Sequence, residues 1–277
     1  MTLLTDRART QDYGGQSIRV IDEDQLLQWA VQNGLSPLQA QREALENEIL
    51  PLRYLKNFQS LNFSDQLRLC RSRVLICGCG GLGGVLINLL ARAGVGILRL
   101  VDGDVFTVSN LNRQWLSDTE QLSRPKALVG MERARLINPF MEVEAFPHPL
   151  DETNAADLVQ GNDLVLDALD NLPARFLLAG EARSLRIPMI HAAVAGWWGQ
   201  ITTFLPQATT DLTNIYGQKR SRDAAEDAVG VLGPTAAVIG SLEALEAIRL
   251  LTGKTSAYAG QLLYFDGESG RTEMLPL

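Results

Sequence analysis

Cysteine and histidine are scarce in this chain. Of 277 residues, 3 are cysteine and 2 are histidine. Cys70, Cys77 and Cys79 fall in one short stretch, and an odd, clustered set is no disulfide framework. A reducing compartment is the simpler reading, so the expected localisation is cytoplasmic. No C-x-x-C pair occurs and no cysteine follows Cys79, which excludes zinc held by two such pairs. Long apolar runs are also missing. None approaches the roughly 20 residues that span a bilayer. Met1 to Gln16 is too polar and charged to read as a signal peptide, and no membrane partner is expected. Basic runs are short and the net charge is −7. Binding nucleic acid would require a local basic surface set against that mean, so no nucleic-acid partner is expected. Hydrophobic residues make up 46%, enough for one large domain or one with a small appendage.

What is present centres on Arg73 to Asp104. Arg73–Cys77 is a short apolar run that reads as a buried strand. It ends in Gly78-Cys79-Gly80-Gly81-Leu82-Gly83, a G-x-G-x-x-G pattern. Val85 to Ala93 reads as a helix, Gly94-Val95-Gly96 closes it, and Ile97 to Val101 is a second strand with Asp102 at its end. Strand, glycine turn, helix, strand and acid follow one another in the order of a nucleotide-binding unit. The glycines permit a tight turn and close approach of backbone N–H groups to phosphate, and the helix N-terminus adds partial positive charge. Asp102 stands where a ribose hydroxyl donates. This stretch alone does not separate a dinucleotide from ATP.

The flanking organisation predicts a mostly parallel α/β fold of Rossmann type with helices on both faces. Residues 1–16 read as a disordered tail, with Gly14-Gly15 as a break. Residues 17–60 read as a helical appendage, and 61–277 as the main domain. Asp22 and Gly34 bracket the first helix of the appendage. Ser36-Pro37 with Gln39 opens a second, with Leu38, Leu45, Ile49 and Leu50 as its stripe and Pro51 as its end. A third helix runs from near Ser64 to Ser72. In the main domain, helices are expected at Lys126–Ile137, Pro173–Leu185 and Val238–Leu251. Strands are expected at Met141–Phe146, Asp163–Ala168 and Pro188–Val194. Gln200–Leu205 and Leu262–Phe265 read as antiparallel strands at the C-terminal end. Residues 207–230 lack apolar period and predict a mobile crossover loop.

A second set of residues separates the nucleotide readings. After Asp102 come Asp104, Asn110, Arg113 and Gln114, and later Arg124-Pro125-Lys126. A nicotinamide-dependent oxidoreductase leaves these unexplained. An adenylating enzyme uses them: Arg113 and Lys126 hold and neutralise a triphosphate, and Asn110 and Gln114 add uncharged hydrogen bonds. Asp170, at a neighbouring strand end, suits Mg²⁺, a hard cation that takes a carboxylate plus phosphates.

These motifs resemble the ThiF/MoeB/HesA family, prokaryotic relatives of ubiquitin-activating enzymes. The matching pieces are G-x-G-G-L-G at 78–83, D-x-D at 102–104, N-L-N-R-Q at 110–114 and P-K at 125–126. I-N-P at 137–139, D-A-L-D-N at 167–171, G-Q-I at 199–201 and G-V-L-G-P at 230–234 follow in the same order. The resemblance covers roughly residues 50–270. It implies an adenylyltransferase that activates the C-terminal glycine carboxylate of a ubiquitin-like sulfur carrier ending in Gly-Gly, with ATP and Mg²⁺, as a homodimer. It points to sulfur transfer of molybdopterin, tungstopterin or thiamine type. By resemblance Gly78, Gly80, Gly81, Leu82, Gly83, Asp104, Gln114 and Leu169 line the nucleotide, and Asp102 takes the ribose. Asn110, Arg113 and Lys126 take the phosphates, and Asp170 takes Mg²⁺.

Two departures accompany the resemblance. Relatives carry R-Y-x-R before the glycine strand, whose second arginine reaches phosphates across a dimer. Here the stretch is Arg53-Tyr54-Leu55-Lys56, so Lys56 takes the role as a point charge. The family's crossover cysteine is absent from Ala224 to Ala228, so the acyl-adenylate itself is the expected product. Other residues carry plainer readings. Cys77 and Cys70 read as packing, and Cys79 as a small side chain that fits its turn, against a low-pKa thiol at a helix N-terminus. His191 reads as a structural histidine beside the crevice, and His148 as surface. Trp197-Trp198 reads as packing, with a channel-lining role as the alternative. Lys219-Arg220-Ser221-Arg222 reads as solvated loop, against a contact for an acidic carrier. The competing functions are adenylation of a small-molecule or tRNA-linked carboxylate, and a non-catalytic carrier-binding scaffold.

Overall fold

Local turn chemistry produces the first elements of the computed structural model, which describes residues 3–218 and 229–277. Strands β1 (Arg9–Tyr13) and β2 (Gln16–Ile21) form an antiparallel hairpin with Tyr13 opposite Gln16. Gly14 and Gly15 make its turn at φ +59° and +78°. A two-residue hairpin turn of this hand needs positive φ at both central positions, which is why the pair is glycine. The expected tail over 1–16 is therefore corrected, since its described part contains β1 and a short 3-10 helix at Leu4–Arg7. No apolar residue of β1 is buried, so the strand has no alternation to betray it.

The expected helical appendage over 17–60 is corrected to a mixed unit. Helix α1 (Glu23–Asn33) ends at Gly34 in the left-handed region, and the side chain of Asp22 does not cap it. Helix α2 (Pro37–Glu46) opens with a capping box, in which Ser36 Oγ accepts from Gln39 N at 3.1 Å and Gln39 Oε1 accepts from Ser36 N at 2.8 Å. It stops before the expected Pro51. Glu48 turns to φ +55°, and Leu50 enters strand β3 (Leu50–Pro51), parallel to β2. The stripe of four is thereby split, with Leu38 and Leu45 in α2, Ile49 in the connection and Leu50 in β3, although Ile49 and Leu50 are buried all the same.

No gap in packing marks residue 60. Ile18, Val20, Leu38 and Tyr54 share one cluster with Cys70 of α3 (Phe63–Arg71) and with Ile97. Tyr54 is fully buried, and burial pushes its phenol pKa upward, so it stays a neutral donor. Its hydroxyl donates to Gln41 Oε1 at 3.0 Å and accepts from Asn138 Nδ2 at 3.0 Å. Asn138 Nδ2 also donates to Ala91 O at 3.0 Å, which ties the N-terminal unit to the main domain. Tyr54→Phe leaves buried polar groups short of a partner and should cost about 1–2 kcal/mol. The check is a lower urea midpoint at unchanged slope.

The main domain alternates as expected. In chain order it runs β4 (Arg73–Cys77), α4 (Gly81–Ala93), β5 (Ile97–Val101), α5 (Lys126–Ile137) and β6 (Glu142–Phe146). Then come α6 (Ala155–Val159), β7 (Leu164–Asp167), α7 (Leu172–Ser184), β8 (Met189–Ala195) and β9 (Trp198–Phe204). Helix α8 (Leu212–Tyr216), α9 (Gly233–Leu251), β10 (Gln261–Asp266) and β11 (Arg271–Pro276) complete it. The described residues form an 8-stranded sheet in the order β11-β10-β9-β8-β7-β4-β5-β6. From β6 to β8 neighbouring strands are parallel, and β9, β10 and β11 pair antiparallel. After Arg73, strand β4 is apolar from Val74 to Cys77 because both its faces are covered. Val74 and Ile76 join a core with α4, α5 and α9, whereas Leu75 and Cys77 join a second core with α6 and α7.

Strand β11 escaped the sequence reading because all its residues are exposed, so no side of it alternates. Part of the expected crossover loop over 207–230 is helical, as α8. Its basic cluster, Lys219-Arg220-Ser221-Arg222, lies outside the described residues. Among the described residues no helix is long and apolar enough to cross a membrane. From β4 the chain winds out through β5 and β6, then returns to place β7 on the other side. That reversal opens a crevice at the carboxyl ends of β4, β5 and β7, where open α/β sheets bind ligands.

Candidate active site

A cavity of about 370 Å³ fills this crevice. Gly78, Gly80, Gly81, Leu82, Asp102 and Asp104 line one side of it. Arg113, Gln114, Lys126, Leu169 and Asp170 also line it. The structure thus brings together most of the residues that the sequence singles out.

The glycines divide by role. Gly78 has φ +96°, and a Cβ there would stand 2.3 Å from Ala168 O. A Cβ on Gly83 would stand 1.8 Å from Gly78 O, so this glycine lets α4 pack on its own loop. Gly83 is not a lining residue, whereas Gly80 and Gly81 are. Helix α4 starts at Gly81 without a side-chain cap, which leaves its first N–H groups for a ligand.

Asp102 fixes the loop from the adjacent strand end. Its Oδ2 accepts from Cys79 N at 2.7 Å and its Oδ1 from Asp104 N at 2.8 Å. Burial raises its pKa, opposed by the Cys79 N–H and the Lys126 charge. Lys126 Nζ lies 2.9 Å from Asp104 Oδ2, and Lys126 N donates to Asp104 O at 3.0 Å. The lysine is 6% exposed while Asp104 is open to solvent. Asp104 thus aims the ammonium group. Nη1 of Arg113 donates to Ser109 O and to Asn112 Oδ1, each at 2.9 Å, which holds the guanidinium along the cavity wall. Gln114 is 6% exposed, and its Oε1 has no hydrogen-bond partner among the described residues. An orphaned buried acceptor on a cavity wall is satisfied by a ligand donor or by water. Asp170 is exposed at the turn after β7 and accepts from Asn171 Nδ2 at 3.2 Å.

Several expected residues stand elsewhere. Asn110 is 7% exposed and outside the lining, and its Oδ1 accepts from Thr107 N at 3.0 Å, capping its own turn. Lys56 is also outside the lining, with its ammonium 4.8 Å from the centre of the Tyr13 ring. Cys79 is fully buried, and burial, with Asp102 adding, raises its pKa well above the ordinary thiol range. It is a neutral packing group, which corrects the low-pKa alternative. His191 is fully buried behind the wall. Trp198 stacks on Tyr264 at 6.2 Å, and Trp197, 53% exposed, is not a lining residue. The sequence reading missed Arg175, which lines the cavity and is 2% exposed. Its signal was its position in the first turn of α7, four residues after the capping Asn171.

The family model described as the ThiF family matches residues 53–277. A relative from Mus musculus, named adenylyltransferase and sulfurtransferase MOCS3, is 36% identical over 245 residues. The match covers 87% of this chain and 53% of that protein, so the chain spans about half of the mouse relative's length. A sulfur carrier protein adenylyltransferase from Thermus thermophilus is 38% identical over 208 residues, covering 73% of this chain and 77% of that one. The Escherichia coli sulfur carrier protein ThiS adenylyltransferase is 37% identical over 213 residues, with coverages of 76% and 84%. Among solved structures, Escherichia coli MccB with AMPCPP and MccA superposes with a TM-score of 0.70 at 16% identity. That superposition covers 99% of this chain and 96% of MccB, and so includes the N-terminal unit in the shared fold. Family match, relatives and motif order agree: the chain belongs to the ThiF family.

Proposed function

We propose that the protein adenylates the C-terminal glycine carboxylate of a ubiquitin-like sulfur carrier ending in Gly-Gly. The observation that carries this reading is the joint presence, on one cavity, of the glycine loop, the cations Arg113 and Lys126, and the carboxylates Asp102 and Asp170. Asp102 accepts from the ribose of ATP. The open N–H groups of α4, Arg113 and Lys126 bind the phosphates. A carboxylate oxygen of the carrier attacks the α-phosphorus, the bond to the β-phosphate bridging oxygen breaks, and pyrophosphate leaves with that electron pair. The product is an acyl-adenylate. The protein acts by positioning and by charge stabilisation. Asp170, an exposed carboxylate on the cavity wall, fits Mg²⁺, which would neutralise phosphate charge there. Cys70, Cys77 and Cys79 are all buried, so the acyl group passes to a nucleophile supplied by another molecule.

Relatives named as sulfur carrier adenylyltransferases support this reading. The acceptor chemistry is sulfur transfer of molybdopterin, tungstopterin or thiamine type. The working unit is a homodimer, for which the exposed Trp115, Val238 and Leu245 offer apolar surface. Lys56, away from its own chain's cavity, is then the charge offered to a second copy.

The test is ATP–pyrophosphate exchange with carriers ending in Gly-Gly. Exchange should require the carrier and vanish when its last glycine is deleted. It should fall at least a hundredfold in Asp170→Ala. Exchange supported by no carrier, together with an Asp170→Ala variant equal to wild type, would overturn the reading.

A further inference from the structure

Behind the cavity wall runs a chain of buried polar groups that the proposed reaction does not use. Asp167, at the end of β7, and His191, on β8, are both 0% exposed. His191 Nδ1 lies 2.7 Å from Asp167 Oδ2, and Asp167 Oδ1 accepts from Leu169 N at 3.1 Å. Burial lowers the pKa of His191, against the pull of Asp167, so the ring is neutral. Its Nδ1–H then donates to Asp167, and its Nε2 accepts from the Tyr216 hydroxyl at 3.0 Å. The same hydroxyl accepts from Gln200 Nε2 at 2.8 Å and from Arg175 Nη1 at 3.4 Å. Arg175 Nη2 donates to Leu169 O at 2.5 Å, and its Nε lies 3.7 Å from Asp167 Oδ2. Leu169 and Arg175 line the nucleotide cavity. Glu243 is also fully buried, and neither of its oxygens has a hydrogen-bond partner among the described residues. Burial, with Asp167 adding, raises its pKa well above the carboxylate range. Glu243 is therefore uncharged, and Asp167 and Arg175 balance one another.

Tyr216 is the last residue of α8, a helix of 5 residues with Leu212 as its one buried side chain. So short a helix does not hold itself together and depends on its tertiary anchors. Its anchors include Leu212, the Arg183–Asp211 ion pair at 3.1 Å, and the Tyr216 hydroxyl. From that hydroxyl two routes reach the cavity wall, one through Arg175 to the Leu169 carbonyl and one through His191 and Asp167 to the Leu169 N–H. We infer that Tyr216 is a positioning residue, whose hydroxyl couples the docking of α8 to the geometry of the cavity wall at Leu169 to Arg175. The inference rests on the nucleotide reading of the cavity. A nucleotide that fixes the wall also fixes α8, and the docked helix in turn raises nucleotide affinity, because such coupling is reciprocal.

Hydrogen exchange with and without a non-hydrolysable ATP analogue tests this and needs no carrier. In the wild-type protein, a peptide over 73–93 and one over 211–218 should both slow about fivefold to tenfold at saturation. In Tyr216→Phe the first should still slow, while the second exchanges fast and does not respond. Calorimetry should show analogue affinity reduced about tenfold, and exchange kinetics a raised KM for ATP with kcat within about twofold. His191→Gln keeps a donor for Asp167 and an acceptor for Tyr216, and should retain the response. Glycine-loop protection without α8 protection in wild type overturns the coupling, as does an α8 response in Tyr216→Phe equal to wild type. Silence of both peptides instead refutes the nucleotide reading, and the coupling with it.

Discussion

Lys126→Met should reduce ATP–pyrophosphate exchange about a hundredfold to a thousandfold while leaving stability close to wild type. The size follows from position. The ammonium is nearly enclosed, stands on the cavity wall 2.9 Å from Asp104, and in the proposed reaction neutralises phosphate charge. Removing one preorganised donor to developing negative charge costs about 3–4 kcal/mol of transition-state stabilisation. The stability side follows from the partner. Asp104 is exposed, so losing the lysine returns that carboxylate to solvent, while Asp102, which also loses the cation, keeps its two backbone N–H donors. Lys126→Arg keeps the charge but not the compact point geometry, and should recover only part of the rate. Exchange within about threefold of wild type for Lys126→Met would remove this residue from the proposed mechanism.

Gly78→Ala should cost about 2–5 kcal/mol of folding stability, which two independent penalties supply. The backbone sits at φ +96°, a region that L side chains rarely adopt, at about 1–2 kcal/mol. The added methyl would also stand 2.3 Å from the carbonyl oxygen of Ala168 on the neighbouring strand end. The methyl is fixed to the main chain and its neighbour is backbone, so relief requires moving the end of β4 from that of β7, as overpacking of a core does at about 1–3 kcal/mol. Against a total of about 5–15 kcal/mol this is severe. The measurement is the urea midpoint of the purified variant, or its recovery in the insoluble fraction. A midpoint equal to wild type would show that the loop is free to shift, and the cavity geometry would then not depend on this glycine.

Much of the fold was legible because the signals are local. Lys126–Ile137 has the bounds expected of it, since Pro125 precedes it and Asn138-Pro139 follows. Strands β4, β5 and β7 carry buried apolar residues on both faces and stand out from any flanking loop. Two of the elements that escaped carry no one-sided pattern, while β2, which alternates at Ile18 and Val20, was absorbed into the expected helical appendage. Strands β1 and β11 bury none of their residues, and the Gly14-Gly15 turn was the only mark of the first hairpin. The stripe that joined Leu38 to Leu50 had helical spacing but crossed the turn at Glu48. Spacing does not register a residue with positive φ that is not glycine.

The candidate site divides in the same way. The glycine loop, Asp102, Arg113 and Lys126 are readable from motif order, because each sits beside a strand end whose place in the sheet that order implies. From the sequence by itself follow the nucleotide-binding unit, the preference for a triphosphate over a nicotinamide, and the want of any exposed cysteine chemistry after Cys79. Only the tertiary structure decided that Gly83 serves packing and Gly80 the cavity, and that Asn110 caps its own turn. It alone placed Lys56 against Tyr13 and joined Asp167, His191, Arg175 and Tyr216 behind the wall. The reason is range. A motif reports what neighbours in the chain do to one another, whereas these contacts join residues from separate strands and helices, whose proximity exists only once the sheet has assembled.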